Sequence, residues 1–260
     1  MADLMLDPAA MAARKATYFA FAQAQVPLYF NPDGSYRPGV EKDRRISHWL
    51  YPALVRSGDP EMVAFAQRFY ENTGVWGAWS IFTTSSIAAV LCRERAHMTP
   101  ELIRRSEEHL DKFTDQPGRK PSSGANDYMF HGYNDNMLAM ATRALILAGE
   151  LLDRADLRDH GLFFLEGLAA HFGRRGLLSE YNSGTYTPIT LTALMDLAEC
   201  SRDPAVRELA QACAERVLLD ILGHWHSNLG CSSGPKSRAY LPDANNTMSL
   251  MNALVWYFSG

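Results

Sequence analysis

The stretch SEYNSGTYTPITLTALMDLAE, residues 179–199, decides the fold. Its polar beginning, residues 179–186, leads directly into a run of small and apolar residues that continues to Cys200. The same order of a polar segment and then an apolar run occurs at residues 130–152. Apolar residues that recur every three to four positions are typical of helices that bury one face. No stretch of the sequence alternates apolar and polar residues as a strand would, so the sequence predicts an all-α protein.

Recurring start signals support this prediction. Asp7, Asp59, Thr99 and Asp203 each stand directly before a proline, the order typical of an N-cap and the first residue of a helix. Together with the apolar periodicity they predict about ten helices, the first over residues 8–25, paired as helical hairpins. The expected architecture is an (α/α) toroid of helical hairpins in a single domain over residues 1–260.

Composition excludes several classes of function. The chain has 260 residues, 47% of them apolar, and a formal net charge of −4 without a cluster of basic residues, which argues against a nucleic-acid partner. No apolar run approaches the ~18 residues of a membrane span. The charged N-terminal segment does not look like a signal peptide, so a cytoplasmic location is expected. The four cysteines form no CxxC pair and are expected to be free thiols.

Three polar segments carry the candidate chemistry: residues 130–136, 179–186 and 231–240. They are spaced by roughly one helical hairpin, which in a stack of hairpins would place all three at the same end. The candidate catalytic residues are those able to carry protons: His131, Tyr133, Asp135, Glu180, Tyr181 and Tyr240. The candidate substrate-binding residues in these segments are amides, cations and one further tyrosine: Asn134, Asn182, Tyr186, Lys236 and Arg238.

Structural interpretations compete with these. Asn136, Ser183 and Thr185 stand where helix caps are needed, and Asp135 is as compatible with capping as with catalysis. Lys236 and Arg238 are also compatible with charged loop residues that face solvent. Trp76 and Trp79 could form an aromatic floor for a sugar, although tryptophans are more often part of a core.

A metal site is not expected. His224-Trp225-His226 has the spacing of a ligand pair, but the sequence offers no evident third ligand and no rigid strand to hold the pair. The sequence also has no phosphate-binding glycine loop that follows a strand. We therefore expect no metal and no cofactor.

The segments HGYNDNMLAMATRALILAGELL (131–152), SEYNSGTYTPITLTALMDLAE (179–199) and GPKSRAY (234–240) carry a family resemblance. Over most of residues 43–245 the chain resembles uncharacterised bacterial and fungal proteins of the six-hairpin, (α/α)-toroid type, which are similar in build to polysaccharide lyases and glycoside hydrolases. It more weakly resembles the linalool dehydratase-isomerase family, but lacks that family's cysteine pair in the polar loop. A full toroid has more helices than the sequence predicts here, so the resemblance implies an open ring or one that is completed elsewhere.

The resemblance implies a carbohydrate-active enzyme. We expect a polysaccharide lyase that acts by β-elimination next to a uronate, with His131, Asn134, Arg238 and Tyr240 similar to the residue set of toroid lyases. The alternatives are a glycoside hydrolase using Asp135 and Glu180, a dehydratase or isomerase acting on a small alcohol, and a non-catalytic helical-repeat binding protein. The expected partner is a small-molecule or oligosaccharide substrate. The apolar end of the chain, LMNALVWYFSG, also predicts a truncated domain or a helix that docks on another copy.

Overall fold

A computed structural model describes residues 7–42, 45–73, 76, 80–114, 134–238 and 249–259. These residues contain ten α-helices, a short 3-10 helix (Arg95–His97) and two strands of two residues each. The all-α class predicted from the sequence is therefore confirmed. The toroidal arrangement of the helices and the single domain over residues 1–260 stay predictions.

The helices begin and end close to the positions that the start and stop signals predict. They are α1 (Pro8–Tyr29), α2 (Ile46–Val55), α3 (Pro60–Thr73), α4 (Ile81–Glu94), α5 (Pro100–Phe113), α6 (Asp135–Leu151), α7 (Ala155–Arg175), α8 (Tyr186–Cys200), α9 (Pro204–His224) and α10 (Leu250–Ser259). Asp7 and Asp203 both accept a hydrogen bond from the second following backbone N–H, as N-caps do. No helix in the described part of the chain is long and apolar enough to cross a membrane, and the cytoplasmic location stays a prediction.

The chain divides into two compact units, of which the first comprises Met1–His109 and Trp256–Gly260. In it α2 packs against α1, α3 and α4, around fully buried side chains such as Tyr51, Leu54 and Tyr70. The first helix runs past its predicted end at residue 25 and includes Pro27. Proline in the last turn removes only one backbone hydrogen bond, so the helix tolerates it there.

The second unit, Leu110–Val255, is built around α6. This helix packs against α7 and α8, while α9 packs against α7 and α8 in turn. All of its residues except Met137 and Leu151 are buried, as expected for a helix that is apolar on every side. Gly149 permits the close approach of α7, because a Cβ at this position would lie 2.5 Å from the backbone nitrogen of Arg158.

One buried ion pair joins α6 to α8. The Arg143 guanidinium contacts the Asp196 carboxylate, and both side chains are less than one-tenth exposed. A pair of this kind stabilises only if both charges are present, because either one alone would be buried without its counter-ion. It joins α6, whose first two residues belong to the candidate site, to α8, which follows the polar segment that contains Glu180.

A small antiparallel ladder follows α9. Strand β1 (Trp225–His226) pairs with β2 (Cys231–Ser232), where the sequence predicted only a loop. The turn between the strands contains Gly230 at a φ of +61°, a backbone conformation that favours glycine. The ladder returns the chain toward the beginning of α8, so that residues 233–238 lie against residues 180–183.

Candidate functional site

Asp135, the first residue of α6, holds the polar segment before α8. Its side chain is buried, and its Oδ2 atom accepts hydrogen bonds from the backbone nitrogens of Ser179 (2.5 Å) and Glu180 (3.3 Å). Hydrogen bonds to an ionised acceptor are stronger than those between neutral groups. Asp135 therefore fixes the backbone at residues 179–180, from which the Glu180 side chain extends.

Glu180 is the point at which the three polar segments meet. Its carboxylate is only 1% exposed and accepts a hydrogen bond from the Asn136 backbone nitrogen (2.9 Å). The Asn136 side-chain nitrogen donates to both of its oxygens, at 2.9 and 2.8 Å. Arg238, from the third segment, donates to Oε1 at 2.9 Å. Because Asn134 makes no capping hydrogen bond through its side chain, Glu180 supplies the acceptor at the N-terminus of α6.

Arg238 provides the positive charge of the site. Its Nη1 atom donates to Glu180 and, at 3.3 Å, to the Asn134 side-chain oxygen. The centre of its guanidinium group lies 4.8 Å from the centroid of the Tyr186 ring, which is a cation–π contact. The Arg238 side chain is nevertheless 40% exposed, in contrast to the buried carboxylate that it contacts. An anionic ligand can therefore approach the guanidinium group from solvent.

Hydrogen bonds from residues 182–183 and from Ser237 fix the segment that carries Arg238. Asn182 donates through Nδ2 to the carbonyls of Ser233 (2.7 Å) and Pro235 (3.1 Å). Ser237 donates to the Tyr181 carbonyl from both its hydroxyl (2.9 Å) and its backbone nitrogen (3.3 Å). The Ser183 hydroxyl donates to the Arg238 carbonyl at 3.3 Å. We call this set of contacts the loop clamp; it positions the backbone of Arg238 beside Glu180.

Burial dominates the electrostatics of both carboxyl groups. It raises the pKa of Glu180, an effect that the hydrogen bonds from Asn136 and Arg238 oppose and the nearby charge of Asp135 reinforces. Burial likewise raises the pKa of Asp135, against the two backbone hydrogen bonds from residues 179–180. A carboxyl group with a raised pKa holds its proton at a higher pH, which suits a proton donor.

Two amide oxygens at the site are buried and have no hydrogen-bond partner in the part of the chain that the structure describes. They are Oδ1 of Asn136 and Oδ1 of Asn182, on side chains that are each 1% exposed. In each case the nitrogen of the same amide group is used, for Glu180 and for the loop clamp respectively. Buried acceptors without partners are uncommon and call for a functional or structural explanation.

His224, considered above only as a metal ligand, lies next to the site. Its Nδ1 atom is 2.8 Å from the Asp220 carbonyl, which can only accept, so Nδ1 carries the proton of the neutral ring. The imidazole centroid lies 6.5 Å from that of Tyr181. Among the described residues no group of three or more His, Cys, Asp or Glu side chains is arranged to hold a metal ion.

The structure brings together part of the predicted residue set. Asn134, Asp135, Glu180, Asn182, Tyr186 and Arg238 are joined by the contacts above, and Tyr181 and Lys236 lie half-buried in the same two segments. Thr185 is the N-cap of α8 but makes no capping hydrogen bond through its side chain, while the Ser183 hydroxyl accepts one from the Tyr186 backbone nitrogen. Trp76 belongs to the first unit, where its ring packs edge-on against Tyr70. His131, Tyr133, Tyr240 and Trp79 lie outside the described residues.

Asn136 is the residue whose role the sequence did not reveal. We interpreted it as a helix cap, but its side chain instead binds the carboxylate of Glu180, forty-four positions away. Its place two residues after Asn134, in the segment HGYNDN, was the available signal. A contact over such a distance in sequence depends on how α6, α7 and α8 pack, which local patterns do not contain.

Fold and site together define an all-α protein with a buried, arginine-paired carboxylate at the N-terminus of its central helix. The chain belongs to the family described as domain of unknown function DUF8769, whose model matches residues 50–260. That range contains every described residue of the site and begins inside α2. No curated protein and no solved structure matches the chain.

Proposed function

We propose that the protein is a carbon–oxygen lyase that cleaves a uronate-containing polysaccharide by β-elimination. The observation that carries the proposal is the meeting of three polar segments at Glu180, where an exposed guanidinium lies beside a buried carboxyl group. Elimination next to a carboxylate needs a cation to neutralise that carboxylate and a group that protonates the leaving oxygen. Arg238 and Glu180 have the charge, burial and proximity for these two roles.

Binding would begin at Arg238. A guanidinium group pairs with a carboxylate through hydrogen bonds of fixed geometry, and the Asn134 amide next to it adds a polar contact. Neutralising the uronate carboxylate stabilises the negative charge that develops when C5 loses its proton. The Tyr186 ring, which contacts the guanidinium group, restricts its orientation. The loop clamp supports the same geometry from the backbone side.

The bond changes are those of an elimination. A base removes the proton from C5, the electron pair forms the C4–C5 double bond, and the C4–O4 bond breaks. Glu180, or Tyr181 next to it, gives a proton to O4. His131 and Tyr240 are the candidate bases from the sequence, and both lie outside the described residues. The products are an unsaturated uronate and a new hydroxyl end.

The contacts of Asp135 favour elimination over hydrolysis. A glycoside hydrolase that used Asp135 and Glu180 would need both carboxyl groups to face the sugar. The Oδ2 atom of Asp135 accepts two backbone hydrogen bonds from residues 179–180, whereas Glu180 contacts the exposed Arg238 guanidinium group. These contacts suit a residue that positions Glu180. The dehydratase or isomerase and the non-catalytic binding protein remain alternatives from the sequence.

A panel of uronate polymers tests the proposal. Elimination predicts an ultraviolet absorbance from the new C4–C5 double bond, whereas hydrolysis releases reducing ends without it. Arg238→Gln should abolish the absorbance change, while Arg202→Gln, which removes an exposed cation elsewhere in the second unit, should leave it unchanged. Reducing ends without the absorbance would favour the hydrolase, and the absence of any product on every polymer would contradict the proposal.

A further inference from the structure

One end of the Arg238 guanidinium group already contacts the buried Glu180 carboxylate. Nη1 of Arg238 donates to Glu180 Oε1 at 2.9 Å and to the Asn134 oxygen at 3.3 Å. We propose that a ligand carboxylate competes with Glu180 for this end of Arg238, so that each ligand bound is accompanied by one proton taken up from solvent by Glu180. The inference rests on the proposed function, because it assumes that Arg238 receives the carboxylate of the substrate.

Burial explains why Glu180 would gain a proton when its hydrogen bond from Arg238 is weakened. The carboxyl group is 1% exposed, so water cannot take the place of the guanidinium group. Among the described charged groups, Asp135 at the start of α6 raises the pKa of Glu180, and His171 and Arg175 of α7 lower the pKa of Asp135. From α8 the neutral Thr187 hydroxyl donates to the Glu180 backbone carbonyl. An arriving second anion would therefore disfavour the ionised form further.

Asn136 offers an acceptor for the added proton. At present its Nδ2 atom donates to Glu180, while its Oδ1 atom is buried and has no hydrogen-bond partner among the described residues. Half a turn of the amide group would bring Oδ1 toward the carboxyl group, where it can accept the new O–H. The Asn136 backbone nitrogen would continue to donate to Oε2. Both protonation states of Glu180 can therefore be hydrogen-bonded without a change in the backbone.

The consequence concerns the timing of catalysis. In the ligand-free protein the hydrogen bond from Arg238 lowers the pKa of Glu180 against the larger effect of burial, and so weakens its hold on a proton. Binding of the uronate would convert it to the protonated form at the moment when a leaving oxygen is present. Substrate binding would thus protonate the group that later donates its proton to the leaving oxygen. The net charge of the site would stay constant, because one proton is taken up with each bound anion.

Titration calorimetry with D-glucuronate tests the coupling without any turnover, because this monosaccharide has no glycosidic bond to cleave. Binding heats measured in buffers with different ionisation enthalpies give the number of protons taken up. We expect about one proton per glucuronate at a pH where free Glu180 is ionised, and an affinity that falls about tenfold per pH unit above that point. D-glucose serves as the neutral ligand and should show neither effect.

Glu180→Gln is the matched variant, since it keeps the shape and cannot ionise. It should bind glucuronate with no proton uptake and with an affinity that does not depend on pH in this range. Failure of wild-type protein to bind glucuronate, binding without proton uptake, or equal uptake in Glu180→Gln would each overturn the proposal. The lyase assay is read separately: coupled binding without elimination on any polymer would contradict the proposed function and leave this inference standing.

Discussion

Replacing Asp135 by alanine tests whether this residue holds Glu180 in place. The substitution removes the acceptor of the backbone N–H groups of Ser179 and Glu180, of which the second is buried. A buried donor left without a partner costs about 1–3 kcal/mol, and the half-buried Ser179 donor costs less because water can reach it. We therefore expect the free energy of unfolding to fall by about 2–4 kcal/mol.

Asp135→Asn separates the hydrogen bonds from the charge. It keeps an acceptor oxygen and loses only the charge-assisted part of the two bonds, so we expect a loss of about 1 kcal/mol. Burial raises the pKa of Asp135, which means that its ionised form already bears a desolvation cost that asparagine avoids. Asparagine should therefore be clearly less destabilising than alanine.

Urea unfolding followed by circular dichroism measures these differences. Asp159→Ala removes an exposed carboxylate from α7 of the same unit and should change the free energy of unfolding by less than about 0.5 kcal/mol. If Asp135→Ala were as stable as this control, the two backbone contacts would not hold the segment before α8. The position of Glu180 would then depend on other contacts.

Three further predictions follow from the same contacts. Glu180 holds its proton more tightly in the folded state, so its contribution to stability is lost as pH rises from 4.5 to its raised folded pKa. Glu180→Gln should therefore gain in stability relative to wild type over that window when both are unfolded in urea. Asn182 has a φ of +49°, so in urea unfolding the free energy of unfolding of Asn182→Ala should be about 1–2 kcal/mol lower than that of Asn182→Gly. Both variants remove the amide of the loop clamp and should weaken glucuronate binding. In thermal unfolding, Gly149→Ala should lower the melting temperature, because its Cβ would meet α7, whereas Gly167→Ala, which has open space, should raise stability by about 0.8–1 kcal/mol.

The sequence was informative where structure depends on local signals. Aspartate–proline starts and apolar periodicity predicted the helices, and α9 begins at Pro204 after its Asp203 cap as expected. The two-residue ladder after α9 was not predicted, because a pair of strands so short has no alternation to detect. The extension of α1 beyond Pro27 was missed for a related reason, since a proline in a last turn is indistinguishable from one in a loop.

The site was predictable only in part. Spacing by one helical hairpin predicted that the three polar segments lie at one end, and the described parts of these segments do make contact at Glu180. The different contacts of the two carboxylates, Asp135 and Glu180, could not be predicted from the sequence. Asp135 accepts hydrogen bonds from two backbone N–H groups, whereas Glu180 accepts from Asn136 and from Arg238, and this difference arises from how α6 and α8 pack together.

The most direct test of the central claim is the product that the purified protein forms from uronate polymers. Elimination predicts an unsaturated uronate end, detected by ultraviolet absorbance and by the mass of the fragments, which lack the water that hydrolysis adds. It also predicts that Arg238→Gln abolishes this product. Fragments that have gained water, or unchanged formation of the unsaturated end by Arg238→Gln, would contradict the account.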